Sequence, residues 1–220
     1  MKKVALFHTS VATIESMTKL TKQIIPDVQI MHIVEDSMIK DVMANNGVTP
    51  EINARIAAYI QAAELAKCDM FMTACSSIGG VVEQCQFMTS MPLTRIDTAM
   101  IEQAIKIGGK IAVLATVETT LRPTLDYVHR IAQKHNQTSA KIEPLLMAEA
   151  FVALLDGNNA KHDEIVKAGL LKALKDSDVV VLAQASMARV LDTLDEKPAI
   201  PVLTSPESGI KWLKDQLAAK

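Results

Sequence analysis

Asp69-Met70-Phe71-Met72-Thr73-Ala74-Cys75-Ser76-Ser77-Ile78-Gly79-Gly80 decides how the chain is read. An apolar run ends in Thr-Ala-Cys-Ser-Ser, two glycines follow, and a helix-compatible segment begins at Val81. This is the pattern of a buried parallel strand that delivers polar side chains to its carboxyl end, where open α/β sheets bind ligands. A cysteine at that place sits beside the positive end of the next helix, which favours its thiolate. The competing reading makes Cys75 one more small buried hydrophobe, as many free cysteines are.

The same grammar extends in both directions. Val4–Phe7 is a short apolar strand that ends in His8-Thr9-Ser10, and a helix is expected from Thr13 to Ile25, stopped at Pro26. Val28–Val34 reads as a second strand, followed by a short helix to Asn45. Thr49-Pro50-Glu51 opens the next helix with a cap, a proline and an acid in the first turn. Its buried stripe is Ile52, Ile56, Ile60 and Ala63. Pro92–Ile96 is a fourth strand, and a helix is expected between Asp97 and Gly108.

The pattern then starts again. Lys110–Ala115 is a strand, and Thr119–Gln133 is a helix with Pro123 in its first turn, where proline is tolerated. Lys141–Leu146, Asp178–Ala183 and Pro201–Leu203 are strands. Met147–Leu155, Ala160–Lys175, Ser186–Leu194 and Ser205–Ala219 are helices. Alternating β and α segments argue for parallel sheets flanked by helices.

The two halves are related. Ala5, Thr9 and Thr13 match Ala112, Thr116 and Thr120, each 107 positions on. Asp69–Ser77 matches Asp178–Ser186, and Pro92 matches Pro201, each 109 positions on. Two similar lobes would bring corresponding strand ends to one cleft. His8, Thr9, Ser10, Cys75, Ser76, Ser77, Thr116, Glu118, Thr119, Thr120, Gln184 and Ser186 would line it. Hydroxyl-rich loops at helix starts suit carboxylates, and interlobe clefts commonly hold small molecules.

Composition bounds the rest. The chain has 220 residues, 49% hydrophobic, with a net charge of −2. Disorder is excluded, and neither a nucleic-acid footprint nor a basic membrane patch is present. No apolar run approaches the roughly 18 residues a membrane span needs, and the run after Lys2-Lys3 is too short for a signal peptide. Three cysteines without a CxxC fit a reducing cytoplasm better than a disulfide framework or a zinc site. Neither a metal-binding motif nor a nucleotide-binding glycine motif is present.

His8-Thr9-Ser10, Thr73-Ala74-Cys75-Ser76-Ser77, Leu114-Ala115-Thr116 with Thr119-Thr120, and Leu182-Ala183-Gln184-Ala185-Ser186-Met187 together resemble the aspartate/glutamate/hydantoin racemase superfamily. The resemblance implies two pseudo-twofold-related α/β lobes around a small carboxylate, no cofactor, and a homodimer. It implies a thiol on each face of the substrate carbon, one taking a proton and the other returning one. It places the first lobe in 1–96 plus 205–220 and the second in 97–204. Cys75 matches the first thiol, but Gln184 occupies the position of the second. An amide binds and does not exchange protons near neutrality. Cys68 and Cys85 are expected to be packing residues.

Three chemistries remain for Cys75. It protonates a carbanion left by loss of a carboxylate, as the resemblance to one-cysteine decarboxylases implies. It acts as base or nucleophile in an isomerisation with His8 or His162 as partner, since histidine titrates near neutrality. Or racemisation survives with a histidine in place of the missing thiol. Thr9, Ser10, Ser76, Ser77, Thr116, Thr119, Thr120, Gln184 and Ser186 are the expected substrate-binding residues, with no metal. His162 opens a helix, where an exposed position is the alternative. Arg95 and Asp97 are expected to pair with each other. A non-catalytic metabolite-binding protein on the same frame is the competing class.

Overall fold

The computed structural model describes residues 1–219. The chain divides into two compact units, Met1–Thr98 with Pro206–Lys220 and Ala99–Ser205.

In the first unit β1 (Lys3–His8), α1 (Ile14–Ile24), β2 (Gln29–Val34), α2 (Met38–Ala44), α3 (Pro50–Leu65), β3 (Met70–Thr73), α4 (Gly79–Gln84) and β4 (Leu93–Arg95) follow one another. Their four strands form a parallel sheet in the order β2-β1-β3-β4. The alternation of side chains along β1 builds two cores. Ala5 and Phe7 face Ile52, Ile56 and Ile60 of α3 and Val82 of α4. Val4 and Leu6 face Met17 of α1 on the other side. Each large side chain so buried contributes roughly 1.5–3 kcal/mol. The Thr49 hydroxyl accepts the Ile52 N–H, and Pro50 opens α3. Its buried residues are Ile52, Ile56, Ile60 and Ala63, at the spacing that the sequence predicts.

In the second unit α5 (Thr98–Ile107), β5 (Lys110–Ala115), α6 (Glu118–Lys134), β6 (Lys141–Leu146), α7 (Ala148–Leu155), α8 (Asn159–Ala173), β7 (Val179–Leu182) and β8 (Val202–Thr204) give the parallel order β6-β5-β7-β8. Ile111, Val113 and Ala115 face α5 and α6, while Ala112 and Leu114 face Val166 and Leu170 of α8. The chain closes with α9 (Ser205–Ala218), whose Ile210 and Leu213 pack beside Val4 and Leu6. Each unit is thus completed by the helix that follows the other unit's last strand.

The repeat extends to the strand register. Val4 pairs with Met70 and Thr73 with Arg95; Ile111 pairs with Val179 and Leu182 with Thr204. Asp69 accepts the Lys3 N–H at 2.8 Å, and Asp178 accepts the Lys110 N–H at 2.7 Å. Both carboxylates tie the start of one central strand to the start of its neighbour.

Three local expectations are corrected. The segment after Cys75 enters a 3-10 turn at Ser76–Ile78, and α4 starts at Gly79, so the glycines lie inside the helical run and do not precede it. The helix after β5 starts at Glu118, which makes Pro123 its sixth residue and leaves the Thr119 carbonyl without its helical N–H donor. The helix expected over Ser186–Leu194 is a 3-10 segment, Ala185–Thr193.

Candidate functional site

Cys75 stands one residue beyond Ala74 at the carboxyl end of β3, in extended backbone (φ −122°, ψ 113°). Its N–H donates to the Thr73 hydroxyl at 3.2 Å. Thr73 is itself buried and held in register with Arg95 of β4. Of the three cysteines, Cys75 alone is half-buried, whereas Cys68 and Cys85 lie in the core. Burial pushes both core thiols up, away from the thiolate. The strand end therefore offers Cys75 the access that a reacting thiol needs.

Behind it lies a buried charged network. The Arg95 guanidinium gives Asp97 two parallel bonds, Nε to Oδ1 and Nη2 to Oδ2, each 2.8 Å. Arg95 is 1% exposed and Asp97 is 0% exposed, so the pair expected from the sequence is fully desolvated. Arg95 Nη1 also reaches Glu83 of α4 at 3.3 Å. Burial works to raise the Asp97 carboxyl, but Arg95 and the Ser76 hydroxyl outweigh it and hold it below the ordinary carboxylate range. The Ser76 hydroxyl thus donates a hydrogen bond to Asp97 and supports the loop.

His8 ends β1, as expected, yet both ring nitrogens are engaged. Nδ1 lies 2.9 Å from the Thr13 hydroxyl and Nε2 lies 3.0 Å from His32 Nδ1. His32 Nε2 continues the chain to the Thr18 hydroxyl at 2.9 Å, and Thr18 donates to the Ile14 carbonyl at 2.7 Å. Because Thr18 gives its proton to Ile14, it accepts from His32; the Thr13 hydroxyl at the other end also donates to the Ser10 carbonyl at 3.3 Å. Burial and the facing His32 push His8 down to about 4. Both ring nitrogens of His8 are thus engaged, and burial favours its neutral form. The sequence did carry a sign of the pair: His32 stands opposite Leu6, two residues from His8 and so on the same face of the sheet.

Among the other residues near β1, Thr9 is buried, and Ser10 uses its hydroxyl to accept the Ala12 N–H at 3.3 Å. Ser77 is buried beside Ser76.

In the second unit Gln184 follows β7 in the same extended conformation (φ −130°, ψ 139°) as Cys75. Its Oε1 accepts from the Thr116 N–H at 2.6 Å and from the Thr116 hydroxyl at 3.0 Å. A backbone N–H can only donate, so the oxygen of the amide faces Thr116 and the NH2 group points away from it. Gln184 is left as a donor, and Thr116 is occupied by Gln184. Near the start of α6, Thr120 is buried and the Thr119 hydroxyl is buried without a partner among the described residues. Ser186 is half-buried.

His162 is fully buried, which corrects the exposed alternative. Its Nδ1 lies 2.7 Å from Asp163 Oδ1, and Asp163 also takes Arg189 Nε at 2.8 and 2.9 Å. Nε2 of His162 is buried without a partner among the described residues. Among those residues no group of three or more His, Cys, Asp or Glu side chains converges as a metal site would require. Nor is any helix long and apolar enough to cross a membrane.

Comparison with known proteins places these features. Residues 6–212 match the family model described as Asp/Glu/hydantoin racemase. An allantoin racemase from Klebsiella pneumoniae superposes with a TM-score of 0.71 at 16% identity, over 100% of this chain and 89% of that one. A glutamate racemase isoform from Bacillus anthracis gives 0.70 at 16%, over 99% and 82%. A glutamate racemase from Francisella tularensis, solved with D-glutamate, gives 0.68 at 14%, over 99% and 81%. At these identities the solved structures speak for the fold alone. A search of curated protein sequences found no match. The family match spans nearly the whole chain, and the protein belongs to the Asp/Glu/hydantoin racemase family.

Proposed function

We propose that the protein is a cofactor-independent enzyme that moves a proton at the carbon next to a small carboxylate or related carbonyl, with Cys75 as the proton-transfer group. One observation carries this reading. The accessible thiol stands at the end of β3, beyond a buried polar turn, while Cys68 and Cys85 lie in the core. The Cys75 thiolate takes the proton, and the electrons of the C–H bond pass into the adjacent carbonyl as an enolate. Hydroxyl and backbone N–H donors beside the thiol stabilise the negative oxygen, which preorganised groups do at no reorganisation cost. The thiol then returns its proton to carbon. With Cys75 as the one proton-transfer group, the return comes from the face that lost it.

A second reaction suits a single thiol, since Gln184 stands at the sequence position that corresponds to Cys75 in the second half. Loss of carbon dioxide leaves the bonding electrons on the substrate as an enolate, Cys75 delivers its proton to carbon, and water re-protonates the thiolate. This needs one thiol and one oxyanion donor.

The test is incubation of amino acids, hydantoins, malonates and hydroxy acids in D2O, followed by NMR and chiral analysis. Deuterium entry without inversion is expected, or decarboxylation with deuterium at the new C–H. Cys75→Ala should lower either rate about 10³-fold, in line with the loss of a general acid–base group. Inversion by the wild type would overturn the one-sided reading.

A further inference from the structure

We propose that Arg95 and Asp97 are positioning residues that set the geometry and reactivity of Cys75, an inference that rests on the function proposed above.

Three observations converge. The guanidinium packs closely against Gly79 in the helical run that follows the cysteine: a Cβ added there would meet Arg95 Nε at 2.5 Å and Cζ at 2.6 Å. Arg95 is also the register partner of Thr73, whose hydroxyl accepts the Cys75 N–H. Asp97 locks that guanidinium with two bonds, and the Ile96 N–H between them donates to the Thr73 carbonyl at 3.0 Å. The Cys75 backbone is thereby held from Thr73 on one side and from Gly79 on the other.

The second unit has the same strands in the same register and lacks the network. The positions that correspond to Ser76, Gly79, Arg95 and Asp97 are Ala185, Ala188, Thr204 and Pro206, each 109 residues on. Thr204 occupies the Arg95 place in the sheet, paired with Leu182. The frame is therefore built without a buried ion pair at this point. Burying two charges costs several kcal/mol per ion before pairing offsets it, and an apolar replacement is often as stable. A costly device found only in the copy with the cysteine serves the cysteine.

The probe is iodoacetamide, with the rate at each thiol followed by mass spectrometry from pH 6 to 10. In the wild type, Cys75 should react much faster than Cys68 and Cys85. If all three react alike and slowly, the function proposed above falls. Asp97→Asn should change the Cys75 rate at least tenfold and displace its pH profile, while Glu83→Gln, which removes the outer partner of Arg95, leaves both in place. Should Asp97→Asn fail to fold, the double variant Arg95→Met with Asp97→Leu removes both charges together and is measured in its stead. A selective wild-type Cys75 whose rate and pH profile persist in a folded variant overturns the positioning role. So does a double variant that does not fold, because it assigns the pair to stability.

Discussion

At the end of β3 a threonine hydroxyl accepts the N–H of Cys75, and a buried arginine–aspartate pair backs the turn. At the end of β7 the residue in the place of that threonine is Leu182, which offers no acceptor, and Gln184 turns its amide oxygen to Thr116. The backbone conformations of Cys75 and Gln184 are nearly the same, and so are the strand registers around them. One frame thus carries two unlike ends. The first unit spends buried polar groups on its turn: Thr73, Ser76, Arg95 and Asp97 are all buried. The second packs Met187 and Val190 under the corresponding segment. Strand order and register are set by apolar alternation, which both units share. What happens at the strand end is set by a handful of side chains that the alternation leaves free to differ.

The sharpest way to break this contrast is at Gly79. Its added Cβ would strike a guanidinium that cannot withdraw, because Asp97 holds its Nε and Nη2 and Glu83 its Nη1. Gly79→Ala should cost about 3 kcal/mol, the upper part of what overpacking costs. Ala188 already fills the corresponding place in the second unit, and Ala188→Gly should cost no more than about 1 kcal/mol, the backbone-entropy difference. Urea unfolding of both variants gives the two numbers. Equal losses would mean that the turn after Cys75 is no tighter than its counterpart.

A smaller effect separates the units by pH. His8 ends β1, and the corresponding residue that ends β5 is Ala115. The His8 ring is held neutral in the folded state with its pKa near 4, against about 6.5 in an open chain. Between these values the unfolded chain binds a proton that the folded one does not, so stability falls as pH falls from about 6.5 toward 4. His32 is lowered by burial as well and acts in the same direction. His8→Gln should remove on the order of 2 kcal/mol of that slope. The check is the urea midpoint of wild type and variant at pH 7 and pH 4.5. Parallel lines would show that the pair is not held neutral.

Much of the frame was legible because it rests on local signals. The apolar runs, the Thr49-Pro50 cap and the Ile52–Ile56–Ile60 stripe each specify an element without reference to distant residues. The repeat itself was readable from Asp69–Ser77 against Asp178–Ser186. The side-chain partners were harder to see. Ser76 reads as a free hydroxyl until Asp97, 21 positions on, is folded against it. Nothing in the sequence around Thr116 shows that Gln184, 68 positions on, accepts from both its N–H and its hydroxyl. Hydroxyl and amide groups choose partners by proximity in space, and sequence spacing across a crossover does not encode that. The helix start differs from the expected one by a single residue, Glu118 for Thr119, and Pro123 lies beyond the first turn from either start.

The smallest effect tests where the units agree. Asp69 and Asp178 each accept a backbone N–H at the opposite ends of their sheets from the site, at 2.8 and 2.7 Å. A carboxylate taking one exposed backbone donor is worth about 1 kcal/mol. Asp69→Asn and Asp178→Asn keep an acceptor oxygen and should each lose less than that, whereas the alanine variants should each lose about 1 kcal/mol. The two units should respond alike, since both use the residue to fasten β1 to β3 or β5 to β7. A large inequality in urea unfolding would show that the repeat is one of shape and not of interaction, and the contrast at the strand ends would then need no functional cause. Matching losses here, beside unequal losses at Gly79 and Ala188, would locate the divergence of the two copies at the carboxyl ends of their strands.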